Sequence, residues 1–335
     1  MKPIIKIKFV DFNVGLGFTK EQNDFVEALS KRYEVVQSED PDYIFYSVFG
    51  VDHLKYDCVR IFYTGECYTP DFNECDYAIG YDRLEFGDRY LRVPLYRLLR
   101  YKKSYDEILK PRHFTLKDVT AKANFCNFVY SNCFAQEARA RFFDQLSQYK
   151  RIESGGCYKN NVGGPVPNKR KFQETTKFTI AFENTTYDGY ATEKLVEAFA
   201  AGTVPIYYGD PNIAKDFNSE AFVNVHDYKN FDEVIERVKE IDINNELYLK
   251  MLNAAPVLNP SDNRDLAEFL YHIFDQPLEK AQRRSKSLTV KGTDAFKLRH
   301  QFSEKWFYRF VAKIKNTYIR LKTGTKLFGK PKSAW

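Results

Sequence analysis

The stretch Phe182-Glu183-Asn184-Thr185-Thr186-Tyr187-Asp188-Gly189-Tyr190-Ala191-Thr192-Glu193-Lys194 decides how this chain is built. An apolar run over residues 177–183 predicts a strand, a polar loop follows, and a helix is expected from Thr192 to Ala201, stopped by Gly202 in the C′ position. In open α/β sheets ligands gather at the carboxyl ends of strands. A helix that starts there offers unpaired backbone N–H groups and the positive end of its dipole. Lys194 adds a formal positive charge in the first turn, where the dipole favours Asp or Glu. An anion nearby explains that placement, and a diphosphate is the obvious candidate. The alternative is a plain N-cap at Thr192 followed by two ordinary surface residues.

Outward from this stretch, the pattern alternates between strands and helices. Towards the N-terminus, strands are predicted over 4–12, 33–36, 43–49, 59–64, 75–81, 124–130 and 151–153, with helices over 20–32 (N-cap Thr19) and 135–149. Residues 158–175 are polar and carry Gly163, Gly164, Pro165 and Pro167, so they are expected to link two domains. Towards the C-terminus come a strand over 204–208, another over 221–225 and a helix over 232–241. The expected organisation is an N-terminal Rossmann-like domain over 1–155, a second over 156–280 with a cleft between them, and a tail over 281–335.

Composition narrows the function. Among 335 residues the net charge is +6, but 281–335 alone carries 15 Lys+Arg against 2 Asp+Glu, which leaves the body at −7. An acidic body argues against a nucleic-acid-binding protein, and no aromatic-basic RNA motif is present. Trp306, Phe307, Phe310, Val311, Ile314, Tyr318 and Leu321 recur at helical spacing among Lys305, Arg309, Lys313, Lys315, Arg320 and Lys322. This basic amphipathic pattern over 303–322 suits an anionic membrane surface, with a helix packed on the body as the alternative. No run approaches the ~18 apolar residues of a membrane span. The opening segment reads as a strand rather than a signal peptide, so the protein is expected in the cytoplasm, peripherally associated with a membrane. Six cysteines form no C-x-x-C pair, which argues against structural zinc and for reduced thiols.

Two ordered blocks carry a family resemblance. One contains Phe178-Thr179-Ile180-Ala181-Phe182-Glu183-Asn184, Tyr190-Ala191-Thr192-Glu193-Lys194 and Val204-Pro205-Ile206-Tyr207-Tyr208-Gly209, and continues through Pro211 to Asp227. The other contains Phe62-Tyr63-Thr64-Gly65-Glu66, Asp76-Tyr77-Ala78-Ile79-Gly80 and Arg89-Tyr90-Leu91-Arg92-Val93-Pro94-Leu95-Tyr96. Together they resemble the α-1,3/4-fucosyltransferases (family 10 glycosyltransferases), bacterial members above all. The resemblance implies an α/β GT-B fold of two facing Rossmann-like domains. It also implies GDP-fucose as donor and inverting transfer to O3 of an N-acetylglucosamine-containing glycan, a Lewis-type or lipopolysaccharide acceptor. No cofactor is implied, and a divalent cation is left open as a stimulant of turnover.

By residue-wise matching, Glu66 would be the general base. Its own context agrees, since Arg60–Tyr63 reads as a buried strand and Gly65 allows a sharp exit to a carboxylate at the strand end. Lys194 and Arg139 would hold the donor phosphates, Glu193 the ribose, and Asn184 and Tyr190 would line the donor pocket. A helix residue solvated at Arg139 is the alternative there. Asp40-Pro41-Asp42 reads as a turn rather than a metal motif, and His226 as structural. The rival functions are a GT-B enzyme using another sugar nucleotide, and a non-catalytic glycan- or membrane-binding protein of the same fold.

Overall fold

The computed structural model describes residues 2–13, 18–98, 101–133, 135, 137–257, 260, 266–285, 293–299, 310–311, 313–315, 317–318 and 321. They fall into two compact units, Met1–Leu99 with Ser261–Val311, and Arg100–Pro260 with Ala312–Trp335.

The first unit begins with β1 (Ile4–Val10), α1 (Asp24–Ser30), β2 (Glu34–Gln37), β3 (Tyr43–Tyr46), β4 (Val59–Tyr63), β5 (Tyr77–Gly80) and β6 (Tyr90–Arg92). The strands form one parallel sheet in the order β2-β1-β3-β4-β5-β6. Side chains alternate between its faces. Ile5, Ile7, Phe9, Phe45, Ile61 and Ile79 meet Phe25, Ala28 and Leu29 of α1, while Ile44, Tyr46, Phe62 and Ala78 build a separate cluster on the other face. Burial on both faces is why β3 reads as an unbroken apolar run and β4 as one interrupted only by the buried Arg60. The expected helix over 20–32 is shorter than its periodicity suggested. Asn23 rather than Thr19 caps it, its carboxamide oxygen accepting from Phe25 N at 3.1 Å and Val26 N at 3.0 Å. Thr19 Oγ1 instead accepts from Gln22 N at 3.0 Å, closing a turn ahead of the helix.

The second unit runs α2 (Lys102–Ile108), α3 (Leu116–Thr120), β7 (Asn124–Phe128), α4 (Glu137–Leu146), β8 (Ile152–Ser154), α5 (Lys169–Glu174), β9 (Thr176–Phe182), α6 (Glu193–Ala200), β10 (Val204–Tyr208), β11 (Val223–Asn224), α7 (Phe231–Ile243) and α8 (Asn245–Asn253). Its parallel sheet has the order β11-β10-β9-β7-β8. Three domain expectations need correction here. First, the boundary near 155 is wrong, because β7 and β8 belong to this sheet. The buried Asn127 amide fastens β7 to β9, donating to Thr176 Oγ1 at 2.6 Å and Thr179 Oγ1 at 2.7 Å. Second, residues 158–175 are not a linker between domains. Asn160 ties the carbonyls of Gly156 and Gly164 at 2.7 and 2.8 Å, Val166 N bonds Gly155 O at 2.9 Å, and α5 follows.

Third, the C-terminal domain does not extend to 280. A last helix, α9 (Leu266–Phe274), belongs to the first unit, where Phe269, Leu270, Ile273 and Phe274 join the core beside α1. The tail is also not free from 281 onward. Ala281 is in that same core. Arg284 pairs with the buried Asp76 at 2.7 Å, Asp294 with the fully buried Arg60 at 2.6 Å, and Lys297 with Glu74 at 3.0 Å. Part of the tail's positive charge therefore neutralises carboxylates of the body. Further on, positions 310, 311, 313–315, 317, 318 and 321 are helical, and Phe310, Ile314, Tyr318 and Leu321 are each more than half exposed. Lys305, Trp306, Phe307, Arg309, Arg320 and Lys322 lie outside the described residues.

Candidate functional site

The quoted stretch folds as its pattern predicts. β9 ends at Phe182, Gly189 turns the loop with φ +80°, and α6 starts after Thr192 and stops before Gly202, whose φ of +62° is the left-handed C′ conformation. Thr192, however, does not cap α6 with its side chain. Its hydroxyl and its backbone N–H both turn to the carboxylate of Glu183, at 2.7–2.9 Å and 2.7 Å. Lys194 Nζ donates to Glu183 Oε2 at 2.8 Å and to Thr192 Oγ1 at 2.7 Å, and lies 3.5 Å from Glu193 Oε1. The anion that accounts for a lysine in this first turn is thus, in the first place, a carboxylate of the chain itself.

Glu193 is the outer carboxylate of the cluster. Burial works against its ionisation, but the charges of Lys194 and Lys169 prevail and hold its carboxyl down at about 2. Lys194 answers in the opposite sense. Burial opposes its charge, and Glu183 and Glu193 nevertheless raise its pKa. Lys169, from α5, pairs with Glu197 of α6 at 2.5 Å. It lies in the segment expected to be a linker, and no local signal marks it.

Arg139 is not a solvated helix residue. It is 2% exposed, on α4, with its guanidinium 4.0 Å above the Tyr130 ring centroid. Its Nη2 donates to Phe182 O at 2.9 Å and to Asn184 Oδ1 at 2.8 Å, while its buried Nε has no hydrogen-bond partner among the described residues. Four of the five expected donor-site residues are thereby linked to the ends of β9 and α6. Tyr190, 2% exposed, belongs to the same loop and receives a bond from Tyr207 Oη on its carbonyl at 3.4 Å. The arrangement is a buried arginine and a half-buried lysine flanked by carboxylates, at the carboxyl edge of a parallel sheet, suited to a phosphorylated polyol.

Glu66 belongs to the first unit. It follows β4 and Gly65, where a Cβ would come within 3.1 Å of Leu95. Its N–H is held by Thr64 Oγ1 at 3.1 Å, and its side chain is exposed. His226 is bonded to Gly209 O at 3.1 Å and stacked on Tyr208 at 4.7 Å, as a structural residue would be. Asp40 N bonds Ser38 Oγ at 3.1 Å in a turn. None of the six cysteines forms a disulfide, and no group of His, Cys, Asp or Glu suited to a metal occurs among the described residues.

Comparison with known proteins resolves the ancestry. Residues 7–99 match the family model for the alpha-(1,3)-fucosyltransferase FucT N-terminal domain, and residues 119–265 match that for the glycosyltransferase family 10 (fucosyltransferase) C-terminal part. The chain belongs to glycosyltransferase family 10. Within the family it is 38% identical over 273 residues to alpha-(1,3)-fucosyltransferase FucT of Helicobacter pylori, covering 70% of this chain and 56% of that protein. It therefore spans about half the length of that relative. It is 34% identical over 140 residues to human 4-galactosyl-N-acetylglucosaminide 3-alpha-L-fucosyltransferase 9, covering 41% of this chain and 38% of the human one. A crystal structure of an alpha1,3-fucosyltransferase with GDP-fucose matches with a TM-score of 0.72 and 32% identity over 86% of this chain and 94% of the other. The α/β GT-B fold and the family-10 resemblance are thus borne out.

Proposed function

We propose that this chain transfers L-fucose from GDP-fucose to O3 of an N-acetylglucosamine-containing glycan, with inversion at the anomeric carbon. The observation that carries the reading is the two cations, the buried Arg139 and the half-buried Lys194, held at the end of β9 and the start of α6. It is supported by likeness to an alpha1,3-fucosyltransferase whose crystal structure holds GDP-fucose. In this mechanism Glu66 accepts the proton of the acceptor hydroxyl as that oxygen bonds to the anomeric carbon. The bond from that carbon to the β-phosphate oxygen breaks, and GDP leaves with the electron pair. Arg139 and Lys194 stabilise the charge that grows on the departing diphosphate, and Glu193 holds the ribose hydroxyls. The second unit serves the donor and the first the acceptor.

The test is GDP release from GDP-fucose with and without N-acetyllactosamine, GDP-mannose serving as control. Release that needs both GDP-fucose and acceptor, and is lost in Glu66→Ala and Lys194→Ala, supports the assignment. Unchanged turnover in Glu66→Ala would remove the base. Failure to bind GDP-fucose at all would remove the donor.

The exposed apolar side chains at 310, 314, 318 and 321 favour a second element of the proposal. The segment 303–322 lies on an anionic membrane at the cytoplasmic face and brings the enzyme to a lipid-linked lipopolysaccharide precursor. Among the described residues no helix is long and apolar enough to cross a membrane. Flotation with anionic but not with neutral vesicles is expected, and flotation with neither would refute it.

A further inference from the structure

Glu183 has no role in the mechanism above, yet it is as enclosed as Arg139, each 2% exposed. Its side chain has no solvent exposure, while that of Lys194 retains 13%. The sheet fixes where it emerges, because Glu183 N bonds Tyr208 O at 2.7 Å just beyond the last β9–β10 pair. Space for its side chain comes from Gly209. A Cβ at that position would lie 2.5 Å from Glu183 Cγ. Both carboxylate oxygens are engaged, one by Thr192 N and Oγ1, the other by Thr192 Oγ1 and Lys194 Nζ. Thr192 Oγ1 also accepts from Lys194 Nζ, so carboxylate, hydroxyl and ammonium close a triangle of charge-assisted bonds.

We propose that Glu183 is a positioning residue for the donor. It presents Lys194 and the first turn of α6 to the diphosphate in a set geometry, without touching the donor itself. This rests on the donor reading given above. An ammonium has three donors on a flexible stem, and its charge is useful to a leaving group only where the stem is held. Here two donors are occupied by groups rooted in β9 and at the start of α6, and the third side faces Glu193. The carboxylate thus spends part of the lysine's charge to fix its place.

Charge and position make opposite forecasts, which makes the proposal testable. If Glu183 mattered only as a charge, Glu183→Gln would add one positive unit beside the phosphates and GDP would bind more tightly. If it matters by position, the same variant binds GDP more weakly, by about tenfold, a loss within the range seen for residues coupled in one network.

The experiment is calorimetric titration of GDP into the full chain as wild type, Glu183→Gln, Thr192→Val, Lys194→Ala and the Glu183→Gln/Lys194→Ala double variant. Circular dichroism would confirm folding. The expected result is weaker binding in Glu183→Gln and in Thr192→Val, and no further loss from Glu183→Gln once Lys194 is gone. Should Glu183→Gln fail to fold, Thr192→Val carries the test, since it keeps the shape and removes only the bridging hydroxyl. Binding as tight as, or tighter than, wild type in either folded variant overturns the proposal. So does an undiminished Glu183→Gln effect in the Lys194→Ala background. Wild-type chain that does not bind GDP overturns instead the donor reading on which the proposal stands.

Discussion

Replacing Arg139 by lysine keeps a positive charge on α4 and removes the planar fork. The guanidinium bonds Phe182 O at 2.9 Å and Asn184 Oδ1 at 2.8 Å from one nitrogen while lying 4.0 Å over Tyr130, all at 2% exposure. A point-like ammonium on a shorter reach keeps at most one of the two acceptors and loses the flat stack. One charge-assisted hydrogen bond is worth about 1.5–3 kcal/mol and the difference in stacking about 1 kcal/mol, so Arg139→Lys should cost about 2–4 kcal/mol. For a domain of this size each kcal/mol moves the midpoint by about 2–4 °C, so the melting transition should fall by about 5–15 °C. Differential scanning fluorimetry with and without GDP reads both consequences, a lower midpoint and a smaller GDP-induced rise. A variant melting within about 2 °C of wild type, with the full GDP response, would show that the fork does not hold the end of β9 and would refute the argument.

Two further outcomes follow from the same site. Gly209→Ala would push a methyl to within 2.5 Å of Glu183 Cγ and of the Tyr207 hydroxyl. Overpacking of this kind costs about 1–3 kcal/mol, and urea denaturation showing no loss would mean the neighbours yield freely. Glu193 has a folded-state pKa of about 2, below its ordinary value of 4.5. Its contribution to stability is therefore complete above about 4.5 and is lost as pH falls towards about 2. Wild type should lose stability through that window more steeply than Glu193→Gln. Parallel pH profiles for the two proteins would contradict the shift.

Much of the fold is legible because its central strands are buried on both faces. The strand predicted over 204–208 is found at Val204–Tyr208, and those predicted over 43–49 and 59–64 lose only residues at their ends. The periodicity of a segment, however, says nothing about which sheet it joins. β7 and β8 look like a continuation of the first domain, and only the tertiary pairing of β7 with β9, reinforced by the Asn127 amide, places them in the second sheet. In the same way α9 is apolar enough to be buried, but its packing beside α1 spans more than 230 residues of sequence, beyond any local pattern. At the site, residue type and position at a helix start single out Lys194, whereas Asn184, Tyr190 and Glu193 came from the family pattern. Arg139 needed the family pattern, because a helical arginine is usually solvated. Glu183 lay in plain view within the quoted stretch without a role. Its importance arises from a lysine eleven residues on, and that pairing exists only once the loop has folded.

The interrupted course of the first unit has a consequence for how the protein is made. Residues 100–260 form one continuous stretch that holds the whole of the second sheet, so they can collapse as soon as they leave the ribosome. The first unit, although synthesised earlier, lacks Phe269, Leu270, Ile273 and Phe274 until α9 emerges. Until then its sheet bears an uncovered apolar face beside α1, while the second sheet, whose strands all lie within residues 100–260, folds behind it. The sheet born first is thus the sheet covered last, and it is the one that chaperones would be expected to shelter during synthesis.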